Sequence, residues 1–179
     1  MEFESDNIKR ILISEEDIIK RTNEIGAQIT EDYKDDPPVV IGVIKGALYF
    51  FADLTRRIDL PVAIDMIGFG NIPDTTSNTG VVRITKDIDI DITGRRVIIV
   101  EDVIRTGLTT AYLISNLETK KPRDINVATM LYNPDRVLLP VPVKYVGFEI
   151  TDGWLMGYGL DVREKGRNIP YIVELKSKP

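Results

Sequence analysis

Apolar positions along the chain alternate between a helical rhythm and short β-branched runs, and the alternation predicts an α/β arrangement. Ser14-Glu15-Glu16-Asp17 stands before an apolar-periodic run in the manner of a capping box, which predicts a helix to about Tyr33. Asp35-Asp36-Pro37-Pro38 ends that helix and leads to a strand over 39–44. A second helix is expected over 46–57, with Ala47, Phe50, Phe51 and Leu54 on one face. Runs at 64–69 and 81–85 read as strands joined by a polar loop over about 70–80. Val97-Ile98-Ile99-Val100 is a continuous β-branched run, as expected of a strand buried on both faces, and a helical pattern follows over 111–117. Further β-rich runs lie at 125–131, 144–150 and 171–175. No internal repeat, low-complexity segment or long linker divides the chain, so one domain over 1–179 is expected.

Composition narrows the function more than the fold. The 179 residues contain no His and no Cys, which excludes Ser-His-Asp triads, Cys-His dyads, His/Cys zinc sites and disulfides. Acid–base work would fall to Asp, Glu, Lys or Tyr. The formal charge of −5 argues against nucleic-acid binding by phosphate neutralisation. No stretch approaches a membrane span, and Met1-Glu2-Phe3-Glu4-Ser5-Asp6 is too acidic to open a signal peptide, so the expectation is a cytoplasmic protein.

The segment 97–110 carries the most specific chemistry. Glu101 and Asp102 follow the β-branched run, then come Thr106-Gly107-Leu108-Thr109-Thr110 and a helix. Ligands of open parallel sheets bind at the carboxyl ends of strands. A loop opening into a helix offers N–H groups to a phosphate there, and adjacent acids suit ribose hydroxyls or Mg²⁺. A sugar phosphate with a metal ion is the ligand this pattern fits. A solvated acidic turn is the alternative for the strand and acids alone.

Glu101-Asp102-Val103-Ile104-Arg105-Thr106-Gly107-Leu108-Thr109 resembles the phosphoribosyl-pyrophosphate (PRPP) motif of type I phosphoribosyltransferases, and more narrowly that of the hypoxanthine-guanine enzymes. The resemblance extends from about Ile11 to Leu175 and includes Gly42-Val43-Ile44-Lys45-Gly46-Ala47, Phe50-Phe51-Ala52-Asp53-Leu54 and the block from Val146 to Asp161. It implies an α/β fold with a mainly parallel central sheet flanked by helices. It also implies a small hood, built from the N-terminal segment and about 151–175, and a mobile lid loop at about 70–80. It implies Mg²⁺-dependent transfer of a phosphoribosyl group from PRPP to a purine-like base, in a homodimer or homotetramer. By the same resemblance Glu101 and Asp102 hold ribose hydroxyls or metal, and Arg105, Thr106, Gly107, Leu108 and Thr109 hold the 5′-phosphate. Lys45, Gly46 and Arg167 hold pyrophosphate, Asp161 holds metal, and the peptide before Lys45 is cis. Trp154 stacks on the base and Leu155 reads its edge.

Three positions depart from the pattern. The hypoxanthine-guanine enzymes carry a third acid, serving the purine N7 proton, where this chain has Arg105. They carry a lysine contacting the 6-oxo group where this chain has Asn133, after Tyr132 in place of an acid. Their lid opens with Ser-Tyr where Gly68-Phe69 stands here. A cation cannot accept the N7 proton, and an amide offers both a donor and an acceptor. Two readings remain open: a phosphoribosyltransferase with a retuned base site, or a silent relative that binds PRPP or a nucleoside monophosphate as a sensor or regulator.

Overall fold

A computed structural model describes residues 7–71 and 82–177. In chain order the elements are β1 (Ile8–Ile13), α1 (Glu15–Asp32), β2 (Val39–Ile44), α2 (Leu48–Thr55), β3 (Ala63–Asn71), β4 (Val82–Lys86) and β5 (Arg96–Ile104). After them come α3 (Leu108–Glu118), β6 (Asp124–Tyr132), a 3₁₀ turn at Pro134–Arg136, β7 (Val143–Glu149), β8 (Trp154–Met156) and β9 (Ile172–Leu175). Six strands form one sheet in the order β4-β3-β2-β5-β6-β7, and only the β3–β4 pair is antiparallel. The other three form a small antiparallel sheet in the order β1-β9-β8.

The central strand explains the layering. Side chains alternate across a strand, so the run 97–100 feeds both faces of the sheet. Ile98 and Val100 join a buried cluster with Ile25 and Ile29 of α1 and Phe50 and Leu54 of α2. Val97 and Ile99 join a second cluster with Leu113 and Leu117 of α3. Ser14 caps α1 as expected: its hydroxyl oxygen accepts from the Asp17 N–H at 3.1 Å. Ala47, Phe50, Phe51 and Leu54 are all buried, as the period of α2 implies.

Several boundaries differ from the sequence reading. β5 runs on through Ile104, because its ladder with β6 continues to the pair Ile104–Tyr132, so Glu101 and Asp102 lie within the strand rather than after it. α3 begins at Leu108, immediately after Gly107, rather than at 111. α2 is shorter than 46–57 at both ends. β1 and β8 carried no strand prediction. The expected lid falls outside the described residues apart from its first two positions, Gly70 and Asn71. Among the described residues no helix is long and apolar enough to cross a membrane.

Candidate active site

After β2 the chain travels outward through β3 and β4, then returns to the other side of β2 as β5. That reversal opens a crevice at the carboxyl ends of β2 and β5, the location favoured for ligands in open α/β sheets. Ile44-Lys45-Gly46 leaves β2 on one side, with a cis peptide between Ile44 and Lys45, and Glu101-Asp102 lies on the other. The two sides touch. A Cβ added to Gly46 would stand 1.9 Å from Asp102 Oδ2. A third segment closes on them: Gly159 has φ +100°, and a Cβ there would stand 1.9 Å from the Gly46 carbonyl oxygen. Only glycine permits both approaches.

The acids meet different neighbours. Glu101 is buried, and Thr110 Oγ1 of α3 donates to its Oε1 at 3.2 Å. Burial, with the neighbouring Asp102 charge, pushes the Glu101 carboxyl up to about 8, against the opposing Thr110 hydrogen bond. Burial also raises Asp102, while backbone N–H groups and the Arg167 charge pull the other way and Asp161 adds to the rise. A positive charge brought into this corner would therefore be favourable for both carboxylates.

The segment after β8 supplies that corner's remaining charges. Tyr158 lies between two glycines and donates to Asp53 Oδ2 at 2.8 Å, tying this turn to α2. Arg167 Nη1 donates to the Gly159 carbonyl at 2.8 Å, and its Nη2 pairs with Asp161 Oδ1 at 2.7 Å. Lys45 Nζ pairs with Glu164 Oε2 at 2.9 Å, and Arg167 also approaches Glu164 at 3.5 Å. Both cations expected to face pyrophosphate thus converge on one carboxylate. Sequence alone does not single out Glu164 or the Asp152 and Arg136 pair described below. Each lies in an ordinary charged turn, and no spacing distinguishes it.

The loop between β5 and α3 has the form of an anion cradle. Gly107 takes φ +77° as the N-cap of α3 and offers no side chain to cap it, while Thr106 Oγ1 accepts from the Leu108 N–H at 3.4 Å. A Cβ on Gly107 would meet the Leu139 carbonyl at 2.3 Å. Thr106 O accepts from the N–H groups of Leu138 and Leu139 at 3.0 and 3.2 Å, which braces the loop from outside. Leu108 is exposed, and Thr109 stands beside it on the first turn.

Trp154 opens β8 and is 47% exposed, so it is not a core tryptophan; Leu155 beside it is half-buried. Arg105 Nη2 donates to the Gly153 carbonyl at 2.9 Å. Asn133 is fully buried at the end of β6, and its Nδ2 donates to Asp152 Oδ1 at 3.2 Å. Arg136 grips the same Asp152 carboxylate through Nε and Nη2. The Asn133 Oδ1 atom is buried without a hydrogen-bond partner.

A family model described as the phosphoribosyl transferase domain matches residues 7–163. The chain belongs to the phosphoribosyltransferase family. It is 41% identical over 170 residues to the hypoxanthine-guanine phosphoribosyltransferase of Bacillus subtilis, covering 95% of this chain and 94% of that one. The crystal structure of a hypoxanthine-guanine phosphoribosyltransferase from Bacillus anthracis superposes with a TM-score of 0.87 at 42% identity, covering 93% of this chain and 98% of that one. A hypoxanthine phosphoribosyltransferase from Staphylococcus aureus gives a TM-score of 0.88 at 39% identity, with 96% and 93% covered. These relatives are enzymes, and nothing in them favours a silent binding protein.

As phosphoribosyltransferase residues, the candidates divide into two ends. Lys45, Gly46, Glu101, Asp102, Asp161 and Arg167 gather around the corner where three loops touch, with Thr106-Gly107-Leu108-Thr109 extending β5 beyond it. Arg105, Asn133, Trp154 and Leu155 gather around the Asp152-Gly153 turn. Among the described residues no three His, Cys, Asp or Glu side chains form a ready metal cage. Asp102 and Asp161 nevertheless sense each other's charge, and both are hard oxygen donors of the kind Mg²⁺ prefers.

Proposed function

We propose that this phosphoribosyltransferase moves the 5-phosphoribosyl group of PRPP onto a ring nitrogen of a purine or purine-like base. Hypoxanthine and guanine, the bases named in its relatives, are the first candidates. The base nitrogen bonds to the anomeric carbon, the bond from that carbon to pyrophosphate breaks, and the nitrogen's proton leaves to solvent or a basic group. One observation carries the reading: Gly159 on Gly46 and Gly46 on Asp102 bring Lys45, Asp102, Asp161 and Arg167 into one corner beside the start of α3 at Gly107.

The residues divide the work by charge. Lys45 and Arg167 would neutralise the departing pyrophosphate, with Arg167 offering a planar fork to phosphate oxygens. Glu101 and Asp102 would accept from ribose hydroxyls and stabilise positive charge developing on the sugar. The loop Arg105 to Thr109 would hold the 5′-phosphate by backbone N–H groups and the Thr106 and Thr109 hydroxyls. Trp154 would stack on the base, with the Leu155 backbone and Asn133 along its edge. Asp161 and Asp102, with Glu101 near them, would hold Mg²⁺, which adds neutralising charge to the pyrophosphate group. Residues 1–179 would act as one domain with the small sheet as a hood, in the cytoplasm. Exposed Leu48 and Tyr49 beside Lys45 suit a homodimer or homotetramer.

The test is pyrophosphate release from PRPP with Mg²⁺ and either base, alongside calorimetric titrations. Mg²⁺ usually completes its shell with substrate phosphates. Little Mg²⁺ should therefore bind alone, and Mg²⁺ and PRPP should each tighten the other. Tight Mg²⁺ binding by the free protein, or no release with any purine, would overturn the reading.

A further inference from the structure

Arg105 and Asn133 leave neighbouring strands side by side. Ile104 pairs with Tyr132 at the ends of β5 and β6, and the Asn133 N–H donates to the Ile104 carbonyl at 2.9 Å. Both side chains then reach the same short turn, 151–153, which joins β7 to β8. Arg105 holds its Gly153 carbonyl at 2.9 Å and Asn133 holds its Asp152 carboxylate at 3.2 Å. Arg136 holds Asp152 from the outer side, and the Ile150 N–H donates to the Tyr132 carbonyl at 2.8 Å just before the turn. The residue that follows is Trp154.

We propose that Arg105 and Asn133 are positioning residues that tie the 151–153 turn to the ends of β5 and β6, and so fix the plane of the Trp154 ring beside the crevice. The proposal deepens the function given above and rests on Trp154 being the base platform. Its physical content is pre-organisation. Trp154 heads a three-residue edge strand directly after this turn, so the path of the turn sets where the half-exposed ring begins. A charged donor holds the Gly153 backbone directly, and a buried amide holds the Asp152 side chain next to it, so two successive residues of the turn are tied down. Asn133 is committed to this contact, because a carboxylate only accepts and the amide NH₂ must face it. Arg105 also brings positive charge near Asp152. An acid at this position would repel Asp152, so Arg105→Asp would loosen the turn rather than add a useful base.

Trp154 is the only tryptophan in the chain, so its emission reports this ring alone. The experiment measures acrylamide quenching and anisotropy of Trp154 in the ligand-free protein, then steady-state kinetics with PRPP and hypoxanthine or guanine. Arg105→Met should increase quenching and lower anisotropy. It should raise KM for the base about tenfold, as loss of one charge-assisted hydrogen bond implies, a larger effect than on kcat. Arg105→Lys should restore most of both signals, Asn133→Ala should resemble Arg105→Met, and Arg105→Asp should be worse than either. Unchanged Trp154 emission in the folded Arg105→Met and Asn133→Ala proteins would overturn the proposal. So would a loss in Arg105→Met confined to kcat, which would make Arg105 a participant in the chemistry. If the wild type uses no purine, the proposed function fails, but the emission of the ligand-free variants still decides whether the turn is held this way.

Discussion

Gly46→Ala gives the most direct test of the three-loop corner. Gly46 has no left-handed backbone requirement, so alanine brings no strain of its own. Its Cβ, however, would stand 1.9 Å from Asp102 Oδ2 and 2.4 Å from Asp102 Cγ. Ordinary contact begins near 3.4 Å, so the carboxylate must retreat by about 1.5 Å, and misplacement of a working group by roughly 1 Å can cost about 100-fold in rate. The loop cannot yield the other way, because the Gly46 carbonyl already lies against Gly159. Stability should change far less. Replacing glycine restricts the unfolded chain by roughly 0.4–1 kcal/mol, offset by a clash with one movable side chain of about 1–3 kcal/mol. The expected outcome is a Tm within a few degrees of wild type and kcat/KM down about 100-fold, measured by calorimetry and pyrophosphate release. In an Asp102→Ala background the added methyl should have little further effect, since the colliding atoms are gone. A folded Gly46→Ala protein with kcat/KM within about threefold of wild type would refute the contact as a functional one.

Two further outcomes follow from the charges. Glu164→Gln removes the carboxylate that holds Lys45 at 2.9 Å, and should tighten pyrophosphate binding by about two- to fivefold at low salt, an exposed-pair effect that fades as salt rises; calorimetry finding equal or weaker binding would refute it. Glu101 favours its protonated form in the folded protein, so the folded state binds that proton more tightly than the unfolded chain does, and the stability tied to it is lost as pH rises toward about 8. Glu101→Gln should therefore match wild type near pH 5 and exceed it near pH 9 by an amount on the order of a few kcal/mol, measured without PRPP or metal, whereas a difference that does not grow with pH would refute the assignment.

Sequence periodicity locates the six-stranded sheet because its central strands are buried on both faces and leave uninterrupted apolar runs. The same signal stops too early at Val100. Charged residues end the run, yet hydrogen bonding to β6 carries the strand on to Ile104. β1 and β8 escape notice because one fully buries only Ile13 and the other has only three residues. The PRPP-type motif identifies Glu101 to Thr109 because loop and helix start are contiguous in sequence. Glu164, Asp152 and Arg136 act through partners 119 and 16 residues away, and no local pattern announces such ties. Arg105 and Asn133 stand out only as departures from the resemblance. Their shared turn becomes visible when β5 and β6 are laid side by side.

The small sheet has a consequence for the order in which the protein forms. Ile8 pairs with Leu175, and Leu175 pairs in turn with Trp154, so the platform strand is secured through contacts that span almost the whole described chain. Closing so long a loop adds little to the equilibrium cost, since loop entropy grows only logarithmically, but distant pairings slow folding. The six-stranded sheet requires only the stretch from Val39 to Glu149. A chain emerging from the ribosome can therefore assemble its acids and phosphate loop before the tryptophan has a strand to sit on. Substitutions at Trp154 or Leu155 fall on the piece that docks last, where they leave the earlier folding steps undisturbed.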